Sequence, residues 1–213
     1  MRFNKTFIRS LCNAWSQRCL VCLLICFFVL SCFRRIAHAW EPNKWFLTFY
    51  GGKYSPDDLK NIFLGSASFE NSRIFCLALS HEILSFWKHR ITGEWEVQAA
   101  KHFGIQDNFE TNGLFLLRWH PFPWDKYLDT SFAVGDGLSY AWGRPETEVI
   151  ESDSSTRLLN YLVFEFSFKP HWECPKHPIS FVFRIHHRSG VFGLFNGTHG
   201  GSNFLCGGIR FAF

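Results

Sequence analysis

The feature that most constrains this chain is a repeated alternation of apolar with polar or small side chains after Trp40. Such a period of two residues is typical of β-strands, because successive side chains point to opposite faces. Turn chemistry separates eight such segments, each about ten residues long. We therefore predict an all-β fold whose eight strands are Trp45–Lys53, Ser72–Ser80, Glu94–Phe103, Thr111–His120, Asp129–Trp142, Asn160–Lys169, Ile179–His187 and Phe204–Phe213.

The two faces of these segments fit two architectures. One is a small outer-membrane barrel with lipid outside and a polar lumen, and the other is a soluble β-barrel or sandwich with an apolar core. Three observations favour the membrane barrel: the apolar face is rich in Phe, of which the chain has 26, the chain ends on Phe213, and the opposite face carries charges. Four tryptophans near strand ends fit interfacial girdles, although scattered core tryptophans are the alternative: Trp45, Trp95, Trp119 and Trp142.

The first 39 residues differ in kind from the rest. Four basic residues precede an apolar run from Cys19 to Phe33, and Ala37-His38-Ala39 fits a small-x-small cleavage pattern. We therefore predict a signal peptide over residues 1–39 and a single barrel domain over residues 40–213. Two alternatives stay open: a retained anchor, because Arg34-Arg35 follows the apolar run, and lipidation at Cys32.

Cysteine usage and charge exclude several classes of protein. Five of the eight cysteines lie in the leader, which leaves Cys76, Cys174 and Cys206. An odd number without a CxxC pair indicates neither a disulfide scaffold nor a zinc site, so Cys76 and Cys206 are predicted to be buried apolar residues. A net charge of +4, without an arginine-rich tract, gives no reason to expect a nucleic-acid partner.

In a bacterial barrel with periplasmic termini, the odd-numbered connections are extracellular. These are predicted at residues 54–71, 104–110, 143–159 and 188–203. The segment from His81 to Thr92 is long for a periplasmic turn, and Glu82–Lys88 is predicted to form a short interfacial helix.

The last two strands carry the candidate chemistry. His187 and Ser189 are two residues apart, so they share a strand face with the apolar Ile185, whereas His186 and Arg188 face the lumen. Asn203 shares its face of the final strand with apolar residues. If the apolar face meets lipid, then His187, Ser189 and Asn203 point outward near the outer edge of the membrane. A His beside a Ser hydroxyl is the minimum for serine-based hydrolysis.

The pattern His187-x-Ser189, a Gly-containing loop and Gly201-Ser-Asn203-Phe before a terminal strand resembles the PagL-type lipid A deacylases. The specific resemblance covers the last 30 or so residues. It implies an eight-stranded outer-membrane barrel that hydrolyses the ester holding the acyl chain at position 3 of lipid A. It also implies that Ser189 is the nucleophile and His187 the base, and that the position of the family's acidic residue is taken by Asn203.

This chain departs from the family at two positions. From Pro175 to Phe213 there is no Asp or Glu, so the hairpin supplies no carboxylate. Gly190 follows the serine where the family has Asn, and the backbone N–H groups of Gly190 and Val191 are the remaining candidates for an oxyanion hole. Arg188, near the outer rim, is a candidate for holding a lipid A phosphate, with a solvated rim charge as the alternative.

The sequence therefore predicts an exported hydrolase of the Gram-negative outer membrane whose partners are lipid A, or lipopolysaccharide, and membrane lipid. The resemblance implies no metal and no cofactor. A metal site at His186, His187 and His199 is disfavoured because no Cys or acidic residue joins them. A homodimer stays open, and so does a non-enzymatic alternative, a structural or lipid-binding barrel of the same fold.

Overall fold

The structure is a computed structural model. It describes residues 44–120, 122–143, 145–152, 156–170, 179–191, 193–195, 197–198 and 200–213. The predicted leader (residues 1–39), Cys174 and His199 lie outside the described residues.

Eight antiparallel strands close into a barrel in which each strand pairs with its neighbours in sequence and β1 pairs with β8. The prediction of an eight-stranded antiparallel barrel is confirmed. The strands are β1 (Trp45–Ser55), β2 (Ser72–Phe86), β3 (Ile91–Gly104), β4 (Phe109–Trp119), β5 (Leu128–Trp142), β6 (Leu158–Pro170), β7 (Ile179–Ser189) and β8 (Gly201–Ala212).

The up-and-down order places alternate connections at opposite ends of the barrel. The connections after β1, β3, β5 and β7 share one end, here called the loop end, and Lys44 and Phe213 lie at the other, the terminal end. Two short helices belong to the loop end: α1 (Leu59–Phe63) follows β1, and α2 (Glu146–Ser152) follows β5. No helix among the described residues is long and apolar enough to cross a membrane.

The helix predicted for Glu82–Lys88 is wrong. β2 continues to Phe86, and its pairing with β3 shifts by one residue between Glu82 and Leu84. This bulge interrupts the period of two that reveals a strand. The turn after β2 then reverses the chain with positive φ angles at three consecutive residues, Trp87, Lys88 and His89.

The two faces of the wall differ in chemistry. Large apolar side chains face outward and are exposed, whereas the lumen holds the charged side chains, many polar ones and two smaller apolar clusters. A soluble barrel would show the reverse, so this distribution is the one expected of a barrel whose outer face meets lipid. Of the four tryptophans predicted near strand ends, two are exposed and lie at opposite ends, Trp119 at the terminal end and Trp142 at the loop end.

Ion pairs hold the lumen together. Arg184 binds Glu96 and Glu165, and Arg118 binds Glu94 and Glu165 with distances of 2.8 Å to each. Arg210 completes the network by binding Glu94 at 2.7 Å. Because these groups are buried, the loss of one partner would leave a charge without compensation.

A second polar layer lies nearer the loop end. Nδ1 of His186 forms a hydrogen bond with the hydroxyl of Tyr161 at 2.8 Å. Its Nε2 lies 2.9 Å from a carboxylate oxygen of Glu110. This confirms the prediction that His186 is a lumen residue. Above this layer, Glu148 of α2 binds the guanidinium of Arg188, and both side chains are fully buried.

Cys76 and Cys206 are free thiols buried in the lumen, as predicted. They belong to an apolar cluster with Tyr50, Tyr54, Ile74, Ala78, Ala100 and Phe204. Gly52 lies against this cluster, because a Cβ at that position would lie 2.4 Å from the sulfur of Cys206.

Candidate active site

The register of β7 and β8 brings the predicted residues together. His187 is directly opposite Asn203, and Ser189 is opposite Gly201. The three side chains lie on the outward face at the loop end, with His187 and Ser189 half-buried and Asn203 buried. The outward orientation predicted from the alternation of apolar residues is therefore observed.

Asn203 makes two hydrogen bonds that fix its amide. Its Nδ2 donates to the backbone carbonyl oxygen of Asp57 at 2.9 Å, and its Oδ1 is 2.6 Å from Nδ1 of His187. A carbonyl oxygen only accepts, so the amide nitrogen must face Asp57 and the amide oxygen must face His187. Since Oδ1 also only accepts, Nδ1 of His187 carries the proton, and in the neutral ring Nε2 keeps its lone pair. This is the tautomer that a general base at Nε2 requires.

Ser189 is in a resting orientation. Its Oγ accepts a hydrogen bond from the backbone N–H of Val191 at 3.1 Å. Within the described residues, the hydroxyl forms no hydrogen bond with His187. Rotation of Ser189 about χ1 is therefore needed to bring its hydroxyl to the imidazole, a change that side chains make readily between staggered rotamers.

The two backbone N–H groups that are candidates for an oxyanion hole, those of Gly190 and Val191, differ in their hydrogen-bond partners. The N–H of Gly190 donates to the carbonyl of Gly200 at 2.9 Å, so this group is already occupied. Gly190 has a steric role, since a Cβ there would lie 1.9 Å from the carbonyl oxygen of Thr198. The N–H of Val191 points at the serine oxygen, and Val191 adopts a φ of 47°, which is uncommon for a β-branched residue. Val191 is thus the better placed donor.

The structure corrects the interpretation of Arg188 as a candidate for holding a lipid A phosphate. Its side chain is 0% exposed and faces the lumen, where it binds Glu148 and the carbonyl oxygen of Arg157. The alternation along β7 places it on the opposite side of the wall from Ser189. A lipid phosphate outside the barrel cannot reach this guanidinium, so Arg188 is not part of the candidate site.

The sequence reasoning did not identify Asp57, which supports the site from the connection after β1. Its carboxylate accepts hydrogen bonds from the Ser68 N–H and hydroxyl at 2.6 and 2.5 Å, and from Ser55. The bonds from Ser68 lower the pKa of Asp57 below its ordinary value. The sequence around Asp57, Ser55-Pro-Asp-Asp58, is typical of a turn. Such a pattern does not reveal a hydrogen-bond partner that is distant in the chain.

A separate cavity of about 260 Å³ opens at the terminal end. It lies on the lumen side, far along the strands from the candidate site. Its walls are mostly charged or polar and include Lys44, Glu82, His120, Asp129, Lys169 and Arg210. Among the described residues, no group of three or more His, Cys, Asp or Glu side chains is arranged to hold a metal ion.

Comparisons with known proteins give one informative similarity. No protein-family model and no curated protein matches the sequence. A solved structure described as the crystal structure of the outer membrane enzyme PagL matches the barrel with a TM-score of 0.53. The match covers 78% of this chain and 98% of that chain at 14% sequence identity. At this identity the similarity is one of fold.

Proposed function

We propose that the protein is a serine esterase of the Gram-negative outer membrane that removes the acyl chain at position 3 of lipid A. The observation that carries the proposal is the hydrogen-bonded pair of His187 and Asn203 beside Ser189 on the outward, apolar face of the barrel. An enzyme whose substrate lies in the surrounding leaflet needs its catalytic groups on this face. The fold shared with an outer-membrane enzyme agrees with this location.

The roles follow from the hydrogen bonds. Asn203 holds Nδ1 of His187 protonated, so Nε2 takes the proton of the Ser189 hydroxyl while Oγ bonds to the ester carbonyl carbon. The negative oxygen of the tetrahedral intermediate forms next to Oγ. The Val191 N–H donates to Oγ in the present structure and becomes free for this oxygen when Ser189 rotates toward His187, so it is the candidate donor.

Collapse of this intermediate breaks the bond to the sugar oxygen, which leaves with the proton from the imidazolium of His187. Water then attacks the acyl-serine. His187 takes a proton from this water and returns it to Oγ of Ser189, which releases the fatty acid and restores the enzyme.

Lys53 and Arg73 take the phosphate-binding role that Arg188 cannot have. They are directly opposite each other on β1 and β2, exposed on the outward face near the loop end. Like charges at opposed strand positions repel, so an anion between them would relieve a destabilising contact. Only β8 separates β1 from β7, so Lys53 lies two strands from β7 on the outer wall, in the same row as Leu205 and Ile185.

The alternative function is a non-enzymatic lipid-binding or structural barrel. The specific observation in its favour is that the partner of His187 is an amide, which cannot stabilise an imidazolium as a carboxylate does. The Ser189 oxygen accepts from the Val191 N–H, and within the described residues Ser189 forms no hydrogen bond with His187.

The test is hydrolysis of purified lipid A by the protein in detergent, with release of a hydroxy fatty acid as the readout. Ser189→Ala is expected to abolish release, because the variant lacks the hydroxyl that forms the acyl intermediate. Ser180→Ala, on the same strand, is the matched control and is expected to keep full activity. Equal release by Ser189→Ala would remove Ser189 as the nucleophile.

A further inference from the structure

The connection after β1 crosses the outward face of the barrel on which the candidate site lies. It leaves β1 at Ser55, yet the ring of Phe63 in α1 packs edge-to-face on Phe164 of β6, with ring centroids 5.0 Å apart. Phe164 faces outward, as its place in the alternating pattern of β6 shows. Between β1 and β6 lie β8 and β7, so α1 passes over the outer side of both strands.

Burial along the wall marks the area that this segment covers. Phe183, farther from the loop end on β7, is 64% exposed, whereas Ile185 is half-buried on the same strand face. Leu205 of β8 and Phe164 of β6, which lie in the same row across the sheet, are also half-buried. Ile62 of α1 is only 7% exposed, so this side chain is covered by its surroundings.

Two sets of hydrogen bonds hold the segment in this position. The Asp57 carboxylate binds Ser68, which ties the two ends of the connection together. The amide of Asn203 binds the Asp57 carbonyl with Nδ2 and His187 with Oδ1. One side chain therefore positions both the candidate base and the segment that covers it.

An acyl chain with its ester at Ser189 must descend along this wall, because the chain runs from the rim toward the middle of the leaflet. Its path leads past Ile185 and Phe164, and the ring of Phe63 now packs on Phe164. We infer that α1 is a gate that a long acyl chain displaces, and that Phe63 and Ile62 determine which chains are accepted. This inference rests on the proposed esterase function.

The first test compares Phe63→Ala with the wild type on a two-carbon and a twelve-carbon p-nitrophenyl ester. Loss of the contact with Phe164 is expected to raise kcat/KM for the long ester about two- to ten-fold, the range of a typical aromatic pair. The short ester does not reach α1, so its rate is expected to stay the same. Leu64→Ala is the matched control, because Leu64 is 71% exposed beside Phe63. When the wild type hydrolyses the esters, an equal change for both esters, or no change for either, overturns the inference.

The second test does not depend on catalysis. In a Cys174→Ser background, Phe63→Cys and Phe164→Cys are joined by a short bis-thiosulfonate, which forms a disulfide with each cysteine as its sulfinate groups leave, and this reducible link pins α1 to the wall. A fluorescent long-chain fatty acid is expected to bind only after reduction, and binding that persists in the joined form overturns the gate. If the wild type hydrolyses neither ester but the fatty acid still binds only after reduction, the proposed function fails and the gate stands.

Discussion

At the residue scale, Asn203 makes two bonds that a carboxylate could not make together. Its amide offers an acceptor to His187 and a donor to Asp57. A carboxylate in the same place would stabilise the imidazolium better, but it would set a negative oxygen against the carbonyl of Asp57. The chain therefore combines a weaker orienting group with a tighter attachment of the connection that carries α1.

Asn203→Asp is therefore expected to improve catalysis and to weaken the attachment of the connection after β1. We expect kcat for a two-carbon ester to rise by about ten-fold, because a negative charge beside the imidazolium is worth roughly 1.4 kcal/mol or more at a partly buried site. We also expect faster proteolysis within residues 56–71, because the bond to Asp57 is lost. Asn203→Ala is the control and should lower kcat while it loosens the same connection. A lower kcat for both variants would contradict this account of Asn203.

The paired cations on the outward face give a second prediction. The double variant Lys53→Gln and Arg73→Gln is expected to raise KM for lipid A with two phosphates several-fold and to leave kcat unchanged, since these residues lie beside the chemistry and not within it. Lipid A without phosphates should show no change in KM. Lys88→Gln, an exposed cation of the turn after β2 at the terminal end, is the control. An equal rise in KM for both lipids would exclude a phosphate contact.

How much of the site the sequence predicts depends on distance along the chain. The shared outward face of His187, Ser189 and Asn203 follows from the period of two, which is local, and their grouping as a site is implied by the resemblance to the PagL-type deacylases. Asp57 is 146 residues from Asn203, and no residue pattern indicates this contact. The alternation of apolar and polar residues along β7 correctly places Arg188 on the lumen face. The assumption that a residue near the rim is accessible from outside is wrong for Arg188, which is fully buried.

At the scale of elements, the strand centres were predictable and the irregular parts were not. Each predicted strand lies largely within an observed one, because the pattern needs only a few alternating residues. The bulge between Glu82 and Leu84 shifts the alternation of apolar and polar residues by one position. For this reason the sequence wrongly predicts a helix at the end of β2. The five residues of α1 are too few to show a helical period, so its position on the wall emerges only from the structure.

The end of β4 gives a prediction on pH. Burial, together with the nearby Arg118 charge, lowers the pKa of His120 from 6.5 to about 4. The folded state therefore favours the neutral ring, and the unfolded chain binds a proton at higher pH. The contribution of His120 to stability is full above pH 6.5 and is lost as the pH falls from 6.5 toward 4.

We expect this loss to amount to about 1 to 3 kcal/mol over that window. His120→Gln keeps a group able to bond Thr92 but cannot titrate, so its unfolding midpoint in urea should fall less between pH 7 and pH 4. The wild type and the variant are compared in the same lipid vesicles at each pH. Parallel curves would show that His120 is not the titrating group.

At the scale of the whole molecule, the barrel has an apolar exterior and an ionic interior. The stability of its lumen depends on complete pairing, since every carboxylate of the central network has an arginine partner. The sequence predicted that these charges would face a lumen, because they alternate with bulky apolar residues. It could not predict which charge binds which, since the pairs join residues up to 116 positions apart.

Removal of one central charge should therefore destabilise the barrel strongly. Arg184→Ala leaves Glu96 and Glu165 without their bonds to this guanidinium, and we expect a loss of about 3 to 5 kcal/mol in the free energy of unfolding. Arg73→Ala is the matched control, since this arginine is exposed and should change stability by less than about 0.5 kcal/mol. Urea unfolding in lipid vesicles measures both. A similar small effect of the two variants would mean that the lumen network does not stabilise the fold.

The measurement that tests the central claim most directly is the mass of lipid A from Gram-negative cells that produce the protein. With the wild-type protein, we expect a form of lipid A that lacks one ester-linked hydroxyacyl chain at position 3. With Ser189→Ala, assembled in the outer membrane to the same level, we expect lipid A to keep that chain. Identical lipid A in cells with and without the wild-type protein, or the same loss in cells with Ser189→Ala, would contradict the account.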